Sequence, residues 1–369
     1  MNDPILEPTK NKLPKCLVFG GFDVLMPGHL SFLGKAKDLC EHLTVALTAS
    51  LLGESFSNPF DVRKSQLLNT GFVDKVVPVK DFDECAAVIK DENIDIYAYG
   101  NSRWRIETPN CDIRHIDSGK VFLYRLNVGI GHACTLKCKH CCNLSPYAPR
   151  DAYRYNIHEV INSLDKVRAV ADIRVCSIFG GEPFLHPDLH LLLTYAINSD
   201  IGKIEIDTNG TVIPNISLDL LANPKIIIKI SSYPIVAEKQ RKLHEYLDKN
   251  GIDNYFRDIT RPWCDHGCQP NRQMNSEDET REIFSLCELK YCLTLENGVM
   301  GYCGLSIIAP RVIGFLPKAG DYLYVNESGD LMTDLYNYVY RPTYMEVCKY
   351  CNGGNENSPK VEPGREQIP

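Results

Sequence analysis

The sequence predicts an α/β chain in three parts. These are a doubly wound, Rossmann-like domain over residues 15–118, a partial (β/α)6 barrel over 119–258, and a small Cys-rich domain over 259–352. Three observations predict it. Short apolar runs alternate with helical patterns from residue 15 to residue 258, as in parallel sheets with helical crossovers. Turns rich in Gly, Asn and Ser follow successive strands, where such folds keep their chemistry. Most of the 16 cysteines cluster at 134–142, 264–268, 287–303 and 348–351. Met1–Lys10 has no apolar core of the signal-peptide kind, so that cysteine count points to metal or cluster ligation in a reducing cytoplasm rather than to disulfides.

The elements follow in order. Lys15–Gly20 is an apolar strand that turns at Gly20-Gly21-Phe22-Asp23 into a helix starting near Gly28-His29. Strands Leu43–Ser50, Val73–Val79 and Ile94–Gly100 follow, with a helix at Phe82–Lys90. In the second part the strands are Phe122–Ile130, Arg174–Phe179, Lys203–Thr208, Lys225–Ser231 and Asn254–Arg257. Helices Ile157–Ala171, Asp188–Asn198, Leu218–Leu221 and Val236–Lys249 lie between them. Residues 1–14 and 353–369 read as flexible ends. A chain of 369 residues suits two or three domains, and its net charge of −7 argues against a non-specific grip on nucleic acid. No segment has the length of a membrane span. Cys16, Cys40, Cys85, Cys111 and Cys176 stand alone and read as small buried hydrophobes.

The most informative run is Cys134-Thr-Leu-Lys-Cys138-Lys-His-Cys141. Three thiolates in one loop can hold three corners of a cubane iron–sulfur cluster and leave the fourth iron open. A Cys-x3-Cys-x2-Cys run is a poor half of a zinc ribbon. Cys142 offers a neighbouring thiol, but the spacing favours Cys141. The run, with His140 before its last thiol, resembles the signature of the radical S-adenosylmethionine (radical SAM) superfamily. Gly180-Gly181-Glu182-Pro183, one β/α unit later, matches that superfamily's Gly-Gly-Glu-Pro motif. The resemblance implies a cluster on Cys134, Cys138 and Cys141 whose open iron chelates SAM. It also implies SAM contacts from Gly180, Gly181 and Glu182, from Asn209 and Ser231 at later strand ends, and from His140 on the adenine. Read from the residues alone, Asn209 and Ser231 are equally good loop caps.

The first turn carries a second resemblance. Gly20-Gly21-Phe22-Asp23-Val-Leu-Met26-Pro27-Gly28-His29 is similar to the Gly-x-Phe-Asp-x-x-His-x-Gly-His motif of the cytidylyltransferase family. That implies a nucleotide site using Gly20, Phe22, Asp23, His29 and Arg63, with CTP or another nucleotide as ligand. Met26 stands where the family has its first His, and Gly100-Asn-Ser-Arg-Trp104 where it has Gly-Asp-Asp-Trp, so a degenerate active site is expected.

In the third part, Cys287, Gly298, Cys303 and Cys348-Lys-Tyr-Cys351 resemble the twitch auxiliary-cluster domain, a short relative of SPASM. The resemblance implies a second 4Fe-4S cluster on Cys287, Cys303, Cys348 and Cys351, although a four-cysteine zinc site needs the same thiols. Cys292 competes with Cys287, and Cys264 and Cys268 read as free thiols in a loop. Glu296-Asn-Gly-Val299 reads as a hairpin with an Asn-Gly corner. Together the resemblances imply a cytoplasmic radical SAM enzyme that abstracts a hydrogen from a sugar or polyol phosphate or a nucleotide-linked small molecule. Its electron donor would be a flavodoxin or ferredoxin, with no nucleic-acid or membrane partner. A radical SAM peptide modifier and a nucleotidyltransferase with a structural metal tail are the alternatives. No catalytic acid or base stands out.

Overall fold

The computed structural model describes all residues except 1–13, 24, 26, 49, 52, 53, 57, 101–110, 117, 118, 258–262, 341, 342, 356 and 369. The N-terminal segment, Met26 and Asn101–Trp104 therefore lie outside the described residues. The chain divides into two compact units, Met1–Val121 and Phe122–Pro369.

In the first unit, β1 (Lys15–Gly20), β2 (His42–Thr48), β3 (Lys75–Val79), β4 (Ile96–Tyr99) and β5 (Asp112–His115) form a sheet in the order β3-β2-β1-β4-β5. Every neighbouring pair is parallel. The order steps outward from β1 in both directions, which is doubly wound topology. Helices α1 (Pro27–Lys37), α2 (Phe60–Leu68) and α3 (Phe82–Asp91) make crossovers. Alternate side chains of β1 enter different cores, Cys16 and Val18 on one face and Leu17 on the other. That is why β1 reads as an unbroken apolar run. α3 starts where Asp81 accepts the Glu84 N–H at 2.9 Å, an N-cap.

The second unit is built on β6 (Val121–Gly129), β7 (Ala171–Phe179), β8 (Lys203–Thr208), β9 (Ile226–Ile230) and β10 (Asn254–Phe256). Helices α4 (Ile157–Val170), α5 (Leu189–Ile197) and α6 (Ala237–Lys249) alternate with them. β7, β8, β9 and β10 pair in parallel, and β6 lies beside β7. A further parallel strand comes from the Cys-rich region. β11 (Trp263–Cys264) precedes helix α7 (Glu277–Leu286), which a Ser276/Glu279 capping box opens. β12 (Thr294–Glu296) then pairs in parallel with β6 and turns into antiparallel β13 (Val299–Gly301). Asn297 and Gly298 make that turn at φ +48° and +79°, the corner that Asn-Gly favours.

The segment after Cys351, expected as a flexible end, carries regular structure among its described residues. Its β14 (Lys360–Val361) pairs antiparallel with β11, and Gln367 bridges to Cys138. Its backbone groups find partners on the first cysteine loop, which its Pro, Gly and Glu content gave no means to foresee.

Candidate functional site

β6, β7, β8 and β9 all end at one cavity. Cys134, Cys138 and Cys141 line it from the loop after β6. Gly180 and Gly181 line it after β7, Asn209 after β8 and Tyr233 after β9. The glycines are there because backbone lies against them. A methyl group on Gly181 would sit 2.6 Å from His132 O and closer still to Ala133 O, and one on Gly180 would strike Gly131 O. The Gly181 N–H donates to Gly131 O at 3.0 Å and the Glu182 N–H to Ala133 O at 2.8 Å. The cysteine loop and the Gly-Gly turn thus form one body.

Glu182 ties that body to β8. Its side chain is buried and accepts from the Thr208 hydroxyl at 2.8 Å, the Asn209 N–H at 2.8 Å and the Phe184 N–H at 3.2 Å. Burial pushes its carboxyl up to about 7, against the pull of those three donors. Asn209, so fixed, points its Nδ2 at Cys134 Sγ, 3.5 Å away, and at Thr135 Oγ1, 3.1 Å away. Gln240 of α6 closes the layer, donating to Asn209 O at 2.8 Å and to Ser231 O. Burial also pushes the Cys134 thiol up to about 11 and raises Cys138 and Cys141. A metal has to displace those protons to bind. His140 sits beside the carboxylates of Asp265 at 3.1 Å and Glu366 at 3.9 Å.

A further polar set is centred on Glu205 and Asp207 of β8. Glu205 accepts from Arg125 at 2.6 Å and from the Tyr255 hydroxyl at 2.7 Å. Lys229 pairs with Asp207 at 2.6 Å and Glu205 at 3.3 Å, and Ser177 donates to Asp207 at 2.7 Å. Burial raises the Glu205 carboxyl, but Arg125, Lys229 and Tyr255 outweigh it and hold it at about 2. Burial raises the Cys142 thiol, and Asp207 is near enough to the cysteine loop to add to that rise.

A second cavity collects Cys287, Cys303, Cys348 and Cys351, and with them Cys268. Burial first, then Cys351, Cys348 and Cys287, push the Cys303 thiol up. Cys292 lies outside this lining, and its carbonyl accepts from Asn127 Nδ2 at 3.2 Å. Among the described residues, no three His, Cys, Asp or Glu side chains close on a single metal ion. Each set of thiols lines one cavity, and a cubane asks each of its cysteines to take a different iron.

The radical SAM superfamily model matches residues 128–233, which contain the cysteine loop, the Gly-Gly turn and Asn209. Over 93 residues the chain is 30% identical to the glycerol-3-phosphate cytidylyltransferase of Bacillus subtilis, covering 24% of this chain and 72% of that protein. The chain joins a cytidylyltransferase-family domain to a radical SAM domain. Over 110 residues it is 33% identical to the antilisterial bacteriocin subtilosin biosynthesis protein AlbA of Bacillus subtilis, covering 27% of this chain and 22% of AlbA. The match thus spans under a quarter of AlbA. The crystal structure of BtrN in complex with AdoMet and 2-DOIA aligns over 68% of this chain and 98% of that one, with 14% identity and a TM-score of 0.44.

In the cytidylyltransferase-family unit the expected nucleotide residues are engaged with the chain itself. Arg63 is buried and donates to Gly21 O at 2.5 Å, Thr48 O at 2.9 Å and Asn58 O at 3.0 Å. Phe56 lies under that guanidinium at 4.2 Å, and its ring occupies the place a methyl group on Gly21 would take. Asp23 accepts the Asn58 N–H at 2.7 Å, and the Phe22 and His29 rings meet edge to face at 5.5 Å. Gly20 is covered by the Phe22 ring.

Several residues of the radical SAM unit escaped the sequence reading. Trp263 and the stretch Val361–Gly364 wall its cavity, and no local pattern marks them. Glu296, on β12, accepts from His132 at 2.7 Å and from Tyr155 at 2.5 Å. It thereby locks the hairpin to the start of the cysteine loop. Cys268, read as a loop thiol, is fully buried at the second cavity.

Proposed function

We propose that this chain is a radical SAM enzyme whose first cavity holds a 4Fe-4S cluster on Cys134, Cys138 and Cys141. When bound, the cluster and SAM supply one-electron reductive cleavage of SAM to a 5′-deoxyadenosyl radical, the species that abstracts a substrate hydrogen. The supporting observation is the convergence of three thiols, a backbone cradle at Gly180–Gly181 and the Asn209 carboxamide on one cavity at the strand ends.

The chain's residues then have definable work. The Gly-Gly turn, having no side chains, packs directly on the cysteine loop and so brings its main chain to the cavity edge. Glu182 and Gln240 hold Asn209 and Ser231 in place from behind. The set Arg125, Ser177, Glu205, Asp207, Lys229 and Tyr255 offers charged and hydroxyl groups beside the cysteine loop. That suits a small polar substrate, and we assign it to a sugar or polyol phosphate or its nucleotide-linked form. The family of the N-terminal domain supports the same class. Phe56 and the backbone-bound Arg63 favour a binding or scaffold role for that domain over nucleotidyl transfer. Residues 119–258 serve as the core, and 259–352 as the auxiliary domain with a second cluster on Cys287, Cys303, Cys348 and Cys351. Its electron supply is of the flavodoxin or ferredoxin type.

The match to AlbA, a bacteriocin biosynthesis protein by name, favours a second reading in which the substrate is a peptide. Deuterium transfer separates the two. The reduced, reconstituted enzyme is given SAM with perdeuterated glycerol 3-phosphate, CDP-glycerol or a peptide pool, and the 5′-deoxyadenosine is weighed. Label arriving from the polyol compounds supports the first assignment, and label only from peptide replaces it.

A further inference from the structure

The segment after residue 359 is bound to the cysteine loop as part of the site. The Lys139 N–H donates to Glu366 O at 2.8 Å and the Ile368 N–H to Lys137 O at 2.8 Å. These two bonds zip the chain in antiparallel fashion across Cys138, whose isolated bridge partner is Gln367. An ion pair of 2.7 Å between Lys139 and Glu366 flanks it.

The Gln367 carboxamide completes the arrangement. Its Oε1 accepts the Lys137 N–H at 2.6 Å. That acceptor role fixes which end of the amide faces the thiol, since the reverse orientation would set NH2 against N–H. Its Nε2 then donates to Gly364 O at 2.7 Å and to Cys138 Sγ at 3.3 Å. Cys134 has comparable donors in the Leu136 N–H at 3.4 Å and Asn209 Nδ2 at 3.5 Å. For Cys138 the side-chain donor comes from 229 residues along the chain.

We propose that Gln367 is a positioning residue that sets the reduction potential of the cluster on Cys134, Cys138 and Cys141 by hydrogen-bonding the Cys138 sulfur. The inference rests on the cluster assignment made above. N–H donors to a cluster sulfur stabilise the more negative, reduced form, so they raise the potential of the one-electron couple. The donor is held at both ends by backbone, at Lys137 and Gly364, so it is in place before the electron arrives.

The test compares wild type with Gln367→Leu, which keeps the bulk and removes the donor. Both are reconstituted anaerobically as full chains, iron is counted, and an EPR-monitored dithionite titration follows the signal that changes when SAM is added. The expected result is equal iron and a more negative midpoint potential in the variant. An unchanged potential overturns the proposal. So does a more positive one, which would mean that the segment only screens the cluster from water. Loss of that cluster's iron also overturns it, because an outer donor does not hold metal. A wild-type protein with no SAM-responsive signal would instead remove the cluster assignment itself.

Discussion

Replacing Glu182 with Gln should remove a pH-dependent term from the stability of the radical SAM unit. Glu182 is 2% exposed, and burial raises its carboxyl from 4.5 to about 7. Between those values the folded chain keeps a proton that the unfolded chain has released. The group therefore does not weaken the fold below its unfolded value, and it weakens the fold progressively as pH rises towards 7. From pH 5 to pH 8 that loss amounts to roughly 2.5 kcal/mol. Glutamine has no proton to lose. Its NH2 faces donors that the carboxyl now satisfies, which costs about 1 kcal/mol at every pH. Denaturant unfolding of both metal-free proteins at a series of pH values measures the gap between them, in which the titration of shared groups cancels. Wild type and E182Q should be of nearly equal stability at pH 5, where ionisation of the unfolded chain has already taken about 0.8 kcal/mol from the wild type. As pH rises the gap should open in favour of E182Q, by roughly 2.5 kcal/mol at pH 8. A gap constant across the range would refute the reasoning, because it would mean that Glu182 ionises in the fold as it does in water.

Three further outcomes follow from the geometry. Gly181→Ala forces a methyl group against the backbone of His132 and Ala133, and overpacking of that kind costs about 1–3 kcal/mol; taken from the geometry of the cavity edge, that is roughly 5- to 150-fold weaker SAM binding by equilibrium titration. Cys348→Ala should take iron from about eight to about four per chain and leave the SAM-responsive EPR signal, whereas Cys268→Ser should keep all the iron. Arg63→Ala leaves three backbone carbonyls, that of Thr48 buried, without their donor and should destabilise the N-terminal unit by roughly 3 kcal/mol, seen as a lower melting temperature.

The parts of the fold that were legible in the sequence are those that local pattern dictates. β1 is an uninterrupted apolar run from Cys16 to Phe19 because both faces of a parallel sheet are covered. The Asn297-Gly298 corner could be read because both residues adopt positive φ. Cys134, Cys138 and Cys141 could be read because one loop carries all three. What could not be read depends on residues far apart in the chain. Gln367 reaches Cys138, and Glu296 reaches His132, across 229 and 164 residues. Neither Gln nor Glu has a spacing that announces such a partner. Arg63 belongs with these: the resemblance of Asp61-Val-Arg63 to the cytidylyltransferase family points it at a nucleotide, and no local pattern shows that three of its bonds go to backbone carbonyls of its own unit. Cys268 was set aside because it stands outside the Cys–Gly–Cys spacing, yet the fold buries it against Cys351.

The most direct test of the account is iron analysis and EPR of the anaerobically reconstituted, dithionite-reduced protein before and after SAM. The account predicts iron in the loop of Cys134, Cys138 and Cys141, a reduced-cluster signal that changes on SAM addition, and release of 5′-deoxyadenosine. Zinc in that loop, or a reduced cluster whose signal is indifferent to SAM, would contradict it.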